Sequence, residues 1–274
     1  MTLDEALKHG TRKISRRDAM LLLAHVTELP ESQILIHGDK ILTELQCKMF
    51  LTGVEKCVHK EPLQYIIGKW DFMGLAFKVD ARALIPRPET ELLVEEALTF
   101  ISRRKRETPA SVLDICTGSG CIALSIACLT DANVTATDIS RDALSLAKEN
   151  AVKLNANRVK FFESDLGEAL LNRGAEKFDV IISNPPYIPV KDIQRLSETV
   201  RDFEPHLALD GGEDGMDIYR RLIPQSVELL KPDGALFLEI GPAKVADLAV
   251  DAGFKNVKII RDYAGLERIV KGEF

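Results

Sequence analysis

The chain has 274 residues, of which 46% are hydrophobic and 28% are charged, proportions that are ordinary for a soluble globular protein. Its length predicts one large domain and one smaller domain, and no apolar run approaches the ~18 residues of a membrane span. The formal net charge of −6 argues against nucleic acid as the main partner, because proteins that grip nucleic acid are usually basic.

Cysteine, histidine and N-terminal patterns exclude further classes of site. The five cysteines contain no C-x-x-C pair, so neither a disulfide framework nor a zinc site is indicated. The five histidines lack the spacing of metal ligands, and we expect no bound metal. The first residues do not resemble a signal peptide, so we expect a cytoplasmic protein. The basic cluster at 103–106 is expected to be a solvated helix end.

The first part of the chain has the apolar spacing of helices. Ser15 precedes one apolar stripe and is expected to cap a helix. Thr43 and Gln46 have the spacing of a capping box, which predicts a second helix that runs through Val58.

A change of pattern predicts the boundary between the two domains. Aromatic and β-branched residues surround Gly74, which is typical of a β-hairpin. We therefore expect a helical N-terminal domain with a hairpin linker over residues 1–80. A larger domain is expected over residues 81–274.

From residue 88 onward, predicted helices alternate with predicted strands. One helix is expected to start at Pro88, because proline suits the first helical position. Further helices are predicted over 121–129, after the cap Ser140, and over 216–230. The predicted strands are 111–115, 134–137, 159–162, 178–183 and 235–240. This alternation indicates an α/β fold, a mostly parallel sheet with helices on both faces.

A glycine-rich turn between the first of these strands and its helix predicts a nucleotide-type ligand. The turn is formed by five successive residues: Cys116, Thr117, Gly118, Ser119 and Gly120. Glycine permits positive φ and close approach of a ligand to the backbone, and ligands of open α/β sheets bind beyond the carboxyl ends of the strands.

Two carboxylates bear on which nucleotide cofactor binds. The spacing Gly118-x-Gly120-x-x-Ala123 also fits an NAD enzyme, and Asp138 suits the ribose of either cofactor. Asp114, which enters the turn, favours S-adenosylmethionine, because a carboxylate suits an ammonium and a sulfonium better than a pyrophosphate.

Asp165 and Leu166 follow the third strand of the predicted domain. Asp165 is a candidate acceptor for an adenine amino group, and Leu166 is a candidate to pack on the adenine ring. The alternative interpretation is that Asp165 is a turn residue.

The segment that carries the chemistry is Asn184, Pro185, Pro186 and Tyr187, at the end of an apolar strand. Two prolines fix two φ angles and leave carbonyl oxygens without competing N–H groups. Asn184 adds a side-chain carbonyl acceptor. Two convergent acceptors hold a planar NH2 group by both hydrogens, which selects an amide or an aromatic amine.

This clamp predicts methyl transfer to a poorly nucleophilic nitrogen. Alignment of the lone pair with the methyl donor supplies most of the acceleration, and carbonyl dipoles stabilise positive charge on the nitrogen. Tyr187 can present an aromatic face to the sulfonium or the substrate. We therefore predict Asn184, Pro185 and Tyr187 as catalytic and all four residues as substrate-binding, with Asn184 also beside the cofactor.

The chain resembles the release factor glutamine methyltransferase family (PrmC/HemK). The most discriminating segments are Pro-Arg-Pro-Glu-Thr-Glu at 86–91 and Glu-Pro-x-x-Ala-Leu at 204–209. The other matching segments are 62–68, 84–85, 114–120, 184–187, 211–212, 239–241 and 262–268.

The resemblance implies a class I, Rossmann-like methyltransferase fold and methylation of N5 of the glutamine in the Gly-Gly-Gln loop of peptide chain release factors. It implies S-adenosylmethionine bound by the glycine-rich turn, by Asp138 and near Leu166, with S-adenosylhomocysteine as product. It also implies that the helical N-terminal domain helps to recognise the release factor. We expect a monomer without membrane attachment or strong nucleic-acid binding.

Two residues depart from the family pattern. Cys116 replaces the usual glycine, so we expect only its backbone to matter, and Leu166 replaces a frequent tryptophan, which weakens stacking on adenine. Three functions remain as alternatives: an amino methyltransferase for nucleic-acid bases, a glutamine methyltransferase for a ribosomal protein, and a non-catalytic adaptor. An NAD-dependent oxidoreductase leaves Asn184–Tyr187 unexplained.

Overall fold

The structure, a computed structural model, describes residues 1–103, 108–174, 176–241 and 244–274. Most of the basic cluster expected at a helix end lies outside these residues. The described chain forms two compact units. The first comprises Met1–Lys69 and Ser197–Phe203, and the second comprises Trp70–Leu196 and Glu204–Phe274.

The first unit is helical. Its helices are α1 (Leu3–Thr11), α2 (Arg16–Thr27), α3 (Glu31–Ile36), α4 (Glu44–Val58) and α5 (Leu63–Ile67). Both predicted caps are confirmed: Ser15 accepts from the Asp18 amide, and Thr43 and Gln46 form the capping box of α4. Buried residues such as Leu22 and Phe50 form its core.

The second unit begins with the predicted hairpin. Strands β1 (Lys69–Phe72) and β2 (Leu75–Lys78) flank Gly74, whose φ is +72°. The backbone of Lys78 exchanges two hydrogen bonds with the buried amide side chain of Asn150, at 2.7 and 3.0 Å. The hairpin therefore packs as part of the second unit. The predicted division at residues 80 and 81, and the recognition role of the first domain, stay predictions.

The remaining elements alternate largely as predicted. The strands are β3 (Ser111–Ile115), β4 (Asn133–Asp138), β5 (Lys160–Glu163), β6 (Phe178–Ser183), β7 (Leu230–Glu239), β8 (Lys255–Arg261) and β9 (Glu267–Glu273). The longer helices are α6 (Pro88–Arg103), α7 (Cys121–Leu129), α8 (Arg141–Lys153), α12 (Asp217–Leu229) and α13 (Val245–Asp251). The short ones are α9 (Glu168–Leu171), α10 (Val190–Ile193), α11 (Glu198–Arg201, in the first unit) and the 3-10 turn His206–Ala208.

The seven strands β3 to β9 form one sheet in the order β5-β4-β3-β6-β7-β9-β8. β5, β4, β3, β6 and β7 are mutually parallel, and β9 is antiparallel to both β7 and β8. The chain therefore adds β4 and β5 on one side of β3 and then returns to add β6 and β7 on its other side. Such a switch point opens a crevice between the carboxyl ends of β3 and β6.

Alternate residues of the central strands face two groups of helices. Leu113 and Ile115 pack in one buried cluster with Tyr219 and other residues of α12 and α13. On the other face, Asp114 accepts from the backbone of α7, and Phe237 contacts Phe100 of α6, with ring centroids 5.7 Å apart. The predicted α/β sheet with helices on both faces is confirmed. Among the described helices, none is long and apolar enough to cross a bilayer.

Candidate active site

A cavity of about 270 Å³ opens at the carboxyl ends of β3, β4 and β6. Its described lining contains many residues predicted from the sequence: Cys116, Thr117, Gly118, Ser119, Asp138, Asp165, Leu166, Asn184 and Pro186. Four other predicted residues lie outside that lining: Asp114, Gly120, Pro185 and Tyr187. The switch point thus brings the glycine-rich turn and the Asn-Pro-Pro-Tyr segment to one cavity.

The glycine-rich turn is held by backbone hydrogen bonds. The amide of Thr117 donates to the carbonyl of Thr137 at 3.0 Å, and the amide of Gly120 donates to the carbonyl of Thr117 at 2.8 Å. The amide of Gly118 donates to Asp138 Oδ2 at 2.8 Å. Gly118 has a φ of +56°, a conformation that favours glycine.

Asp138 joins this turn to the end of β4. Besides the Gly118 amide, the carboxylate accepts from the Ser140 amide through Oδ1, at 2.8 Å. Burial raises its pKa above the ordinary value, against the effect of these backbone donors. Each carboxylate oxygen carries further lone pairs, so Asp138 can accept from a ligand hydroxyl while it holds the turn.

Asp114 supports the turn from beneath. It is fully buried, and its Oδ2 accepts from Thr117 Oγ1 at 2.6 Å and from the Ala123 amide at 3.1 Å. Its Oδ1 has no hydrogen-bond partner in the described chain. Burial raises the pKa of this carboxyl to about 7. Asp114 therefore acts on the cavity through the residues that it orders.

The two departures from the family pattern share one backbone property. Cys116 has a φ of +62° and Leu166 a φ of +52°, both in the left-handed region. Residues with a Cβ are strained there. Cys116 lines the cavity, and burial raises the pKa of its thiol.

Asp165 has a charged partner beside the cavity. Arg221 Nη2 donates to Asp165 Oδ2 at 2.6 Å and lies 3.3 Å from Glu168 Oε1. One oxygen of Asp165 is therefore engaged by a guanidinium. Leu166 is 95% buried beneath the cavity (5% exposed). The predicted adenine contacts of both residues stay predictions.

The Asn-Pro-Pro-Tyr segment is tied to the end of β3. Ser183 pairs with Ile115 in the sheet register, and its hydroxyl donates to the Ile115 carbonyl at 2.5 Å. This hydrogen bond fixes the distance between the strand ends that precede Cys116 and Asn184. Side chains of Asn184 and Pro186 line the cavity, and Pro185 is buried.

Tyr187 lies against backbone that only glycine can supply. A Cβ at Gly211 would lie 2.6 Å from Tyr187 Cα, and one at Gly241 would lie 2.7 Å from its ring. The Tyr187 hydroxyl donates to Glu239 Oε1 at 3.3 Å. The predicted aromatic contact of Tyr187 with the sulfonium or substrate stays a prediction.

Sequence reasoning missed Thr90 as a site residue and assigned no single role to Glu239. Asn184 Nδ2 donates to Thr90 Oγ1 at 3.2 Å, and Thr90 Oγ1 donates to Glu239 Oε2 at 2.6 Å. Thr90 lies inside the segment 86–91 that resembled the family most closely, which was the available signal. Glu239, at the end of β7, faces this network.

Arg87 joins two segments that border the cavity. Its guanidinium donates to Glu204 Oε1 at 2.5 Å. Glu204 is buried, and its Oε2 accepts from the Ile85 amide at 3.1 Å. Both discriminating sequence segments therefore meet in one ion pair. In the described part of the chain, no group of acidic, histidine and cysteine side chains is arranged to hold a metal ion.

Two family profiles match the chain. The profile described as the PrmC N-terminal domain matches residues 4–68, and that described as the methyltransferase small domain matches residues 90–211.

Curated relatives match over nearly the whole chain. The release factor glutamine methyltransferase of Clostridium acetobutylicum is 39% identical, over 96% of this chain and 93% of the relative. That of Geobacter sulfurreducens is 40% identical, over 94% and 89% of the two chains. That of Moorella thermoacetica is 41% identical, over 98% and 97%.

Solved structures share the fold. A methyltransferase from Pyrococcus furiosus superposes with a TM-score of 0.54 at 19% identity, covering 82% of this chain and 96% of that one. The T. Thermophilus 16S rRNA N2 G1207 methyltransferase, in complex with AdoMet and guanosine, gives 0.54 at 20% identity, covering 75% and 49%. The second unit has the class I methyltransferase fold.

Proposed function

Because the chain belongs to the release factor glutamine methyltransferase family, we propose that it methylates N5 of the glutamine in the Gly-Gly-Gln loop of a peptide chain release factor. The methyl donor is S-adenosylmethionine. The observation that carries the proposal is that Asn184 and residues 116–119 of the glycine-rich turn line the same cavity.

The cavity residues fit the proposed cofactor. S-adenosylmethionine, when bound, supplies a methyl group on a sulfonium sulfur and leaves as S-adenosylhomocysteine. Asp138 is suited to accept from ribose hydroxyls, because its oxygens retain lone pairs. Leu166 and Ile139 supply apolar lining where an adenine ring needs it, and Asp165 can accept from the adenine amino group.

The Asn-Pro-Pro-Tyr segment orients the acceptor amide. The Asn184 side-chain oxygen and the Pro185 carbonyl accept the two hydrogens of the glutamine NH2 group, so the nitrogen lone pair points towards the methyl group. As the carbon–nitrogen bond forms and the carbon–sulfur bond breaks, these acceptors stabilise the positive charge on nitrogen. The nitrogen then loses one proton to solvent, so no strong general base is needed.

We propose that the first unit contributes to recognition of the release factor. Three apolar side chains in it are largely exposed: Ile36, Ile41 and Leu45 at 69%, 74% and 66%. Apolar side chains of this kind anchor protein interfaces. Ile41→Glu should therefore raise the KM for the intact release factor while leaving the KM for S-adenosylmethionine unchanged. The monomeric state and cytoplasmic location stay predictions.

Methyl transfer from radiolabelled S-adenosylmethionine to a purified release factor tests the proposed function. The control substrate is the same factor with Gln→Ala in its Gly-Gly-Gln loop. Label on the unsubstituted factor alone supports both the reaction and the acceptor. Label on ribosomal protein or RNA, with none on either release factor, would retain the methyltransferase and overturn the substrate.

A further inference from the structure

The amide of Asn184 has two orientations of nearly the same shape, and they differ chemically. With the oxygen towards the cavity, the side chain accepts a hydrogen from the substrate. With the nitrogen towards the cavity, it presents two donors to a substrate nitrogen that is itself a donor. The proposed clamp works in only one of these orientations, so something must select it.

Thr90 can make that selection because its hydroxyl has one proton. Thr90 Oγ1 lies 2.6 Å from Glu239 Oε2 and 3.2 Å from Asn184 Nδ2. Both oxygens of Glu239 accept from hydroxyl donors, Oε2 from Thr90 and Oε1 from Tyr187, so the Thr90 proton points to Glu239. The side of Thr90 that faces Asn184 is then an acceptor, which requires the nitrogen of the amide and leaves its oxygen for the substrate.

Glu239 is held as the acceptor from its other side as well. Its Oε1 accepts from the Tyr187 hydroxyl at 3.3 Å. That hydroxyl has a single proton, and this hydrogen bond directs it to Glu239.

Burial raises the pKa of Glu239 above its ordinary value, and the Thr90 hydrogen bond, the charge of Arg268 and the Tyr187 hydrogen bond oppose that rise. The Tyr219 hydroxyl donates to the Glu239 backbone carbonyl at 2.7 Å and anchors the strand end. Donors from α6 and from Tyr187 therefore converge on one buried carboxylate.

We propose that Thr90 and Glu239 are positioning residues that fix the amide of Asn184 with its oxygen towards the acceptor nitrogen. This inference rests on the proposed function, because it assigns the oxygen a substrate to bind. Neither residue reacts. Both set the direction of a hydrogen-bond chain that runs from Asn184 through Thr90 to Glu239, to which Tyr187 donates from the other side.

Isosteric variants test the direction of this chain. Thr90→Val removes the hydroxyl and keeps the shape. The Asn184 amide then loses the acceptor that fixes its orientation, and kcat should fall roughly ten- to hundredfold. Thr90→Ser restores the hydroxyl and should recover kcat to within about threefold. Glu239→Gln keeps the shape but can either donate or accept, so it should also lower kcat. Thr99→Val, on the same helix α6, makes the same change away from the network.

A merely structural role predicts a different pattern. The affinity for S-adenosylmethionine by calorimetry should stay near that of the unsubstituted protein in Thr90→Val, as in Thr99→Val. Loss of cofactor affinity in parallel with kcat, or wild-type kcat in both Thr90→Val and Glu239→Gln, would overturn the inference.

An NMR measurement decides the inference without any acceptor substrate. The side-chain amide resonances of Asn184 are identified by their absence in Asn184→Ala. One amide proton should be shifted downfield by the Thr90 hydrogen bond, lose that shift in Thr90→Val and regain it in Thr90→Ser. Unchanged resonances in Thr90→Val would refute the inference even if the enzyme methylates release factors. Failure of the unsubstituted enzyme on release factors, with the shift present, would instead refute the proposed substrate.

Discussion

The two strand ends that meet at the cavity are built by different means. The turn 116–120 is held mainly by backbone groups, such as the Thr117 amide on the Thr137 carbonyl. The segment 184–187 is held by side chains and glycines from distant parts of the chain, including Thr90 and Glu239. A site held by its backbone tolerates exchange of side chains, whereas one held by side chains depends on each of them.

The largest effect is expected at the end that depends on side chains. Asn184→Ala should lower kcat by at least about a hundredfold, because it removes a preorganised acceptor that stabilises charge in the transition state. The cofactor affinity should stay nearly unchanged, since the turn 116–120 keeps its own backbone hydrogen bonds. Radiolabel transfer and calorimetry measure the two quantities.

Thr99→Val serves as the control for substitution within this domain, because Thr99 lies outside the proposed hydrogen-bond network. Loss of cofactor affinity together with kcat in Asn184→Ala would show that the two strand ends form one binding unit. The distinction between a strand end held by backbone groups and one held by side chains would then be wrong.

The next largest effect concerns Asp114, a buried side chain that supports the turn. Burial raises the pKa of Asp114 from 3.8 to about 7, so the folded state holds its proton more tightly than the unfolded state. Stability from the protonated form is fully present below pH 3.8 and is lost as the pH rises through about 7. The loss is on the order of 4 kcal/mol. Denaturant unfolding of the cofactor-free protein between pH 5 and 8 measures the part of this loss that falls in that range, about 3 kcal/mol.

Asp114→Asn tests whether the carboxyl of Asp114 causes this pH dependence of stability. Asparagine retains an acceptor for Thr117 and Ala123 but has no titrating carboxyl, so the free energy of unfolding should fall less with pH than in the unsubstituted protein. Asp131→Asn, at an exposed carboxyl near the end of α7, controls for the loss of one negative charge. Identical slopes in the Asp114→Asn variant and the unsubstituted protein would contradict a raised pKa.

Contacts of Tyr187 give an effect of intermediate size. In Gly211→Ala the new Cβ would meet Tyr187 Cα at 2.6 Å, so the segment must shift. We expect a loss of about 1–3 kcal/mol of stability together with a lower kcat. Thermal unfolding and radiolabel transfer measure both.

Gly174→Ala is the matched control. Gly174 has a φ of +61° and open space around the Cβ position, so alanine there strains the backbone without touching the site. Stability should fall, and kcat should not. An unchanged kcat in Gly211→Ala would show that the position of Tyr187 does not matter for transfer.

Sequence reasoning predicted the elements that depend on local signals. The bounds of β3, β6 and α7 match the expected residues, because each is a mostly apolar run with a clear start and end. The antiparallel strands β8 and β9 were not predicted. β9 becomes a strand by pairing with the distant strand β7, and β8, whose residues are largely exposed, becomes one by pairing with β9.

The site was predictable where one short segment carries the chemistry. Short sequence motifs predict both Asn184 and the turn 116–120. The hydrogen-bond partner of Asn184 is Thr90, which lies 94 residues earlier in the chain. Only the fold reveals such a pairing. The sequence did not reveal the burial of Asp114 either. Its neighbour Ile115 is apolar and lies on the opposite face of the same strand, so alternation predicts a polar, exposed face for Asp114.

The smallest effect tests the end that depends on backbone. At ordinary positions alanine is more stable than glycine by about 0.4–1 kcal/mol. Cys116 has a φ of +62°, where a Cβ costs roughly 1–2 kcal/mol, so the order should reverse. Cys116→Gly should be at least as stable as Cys116→Ala, with near-normal cofactor affinity in both variants. Thermal unfolding of the pair measures this. If Cys116→Ala is clearly more stable than Cys116→Gly, the side chain at 116 stabilises the protein by more than the backbone strain costs. The turn is then held by side chains.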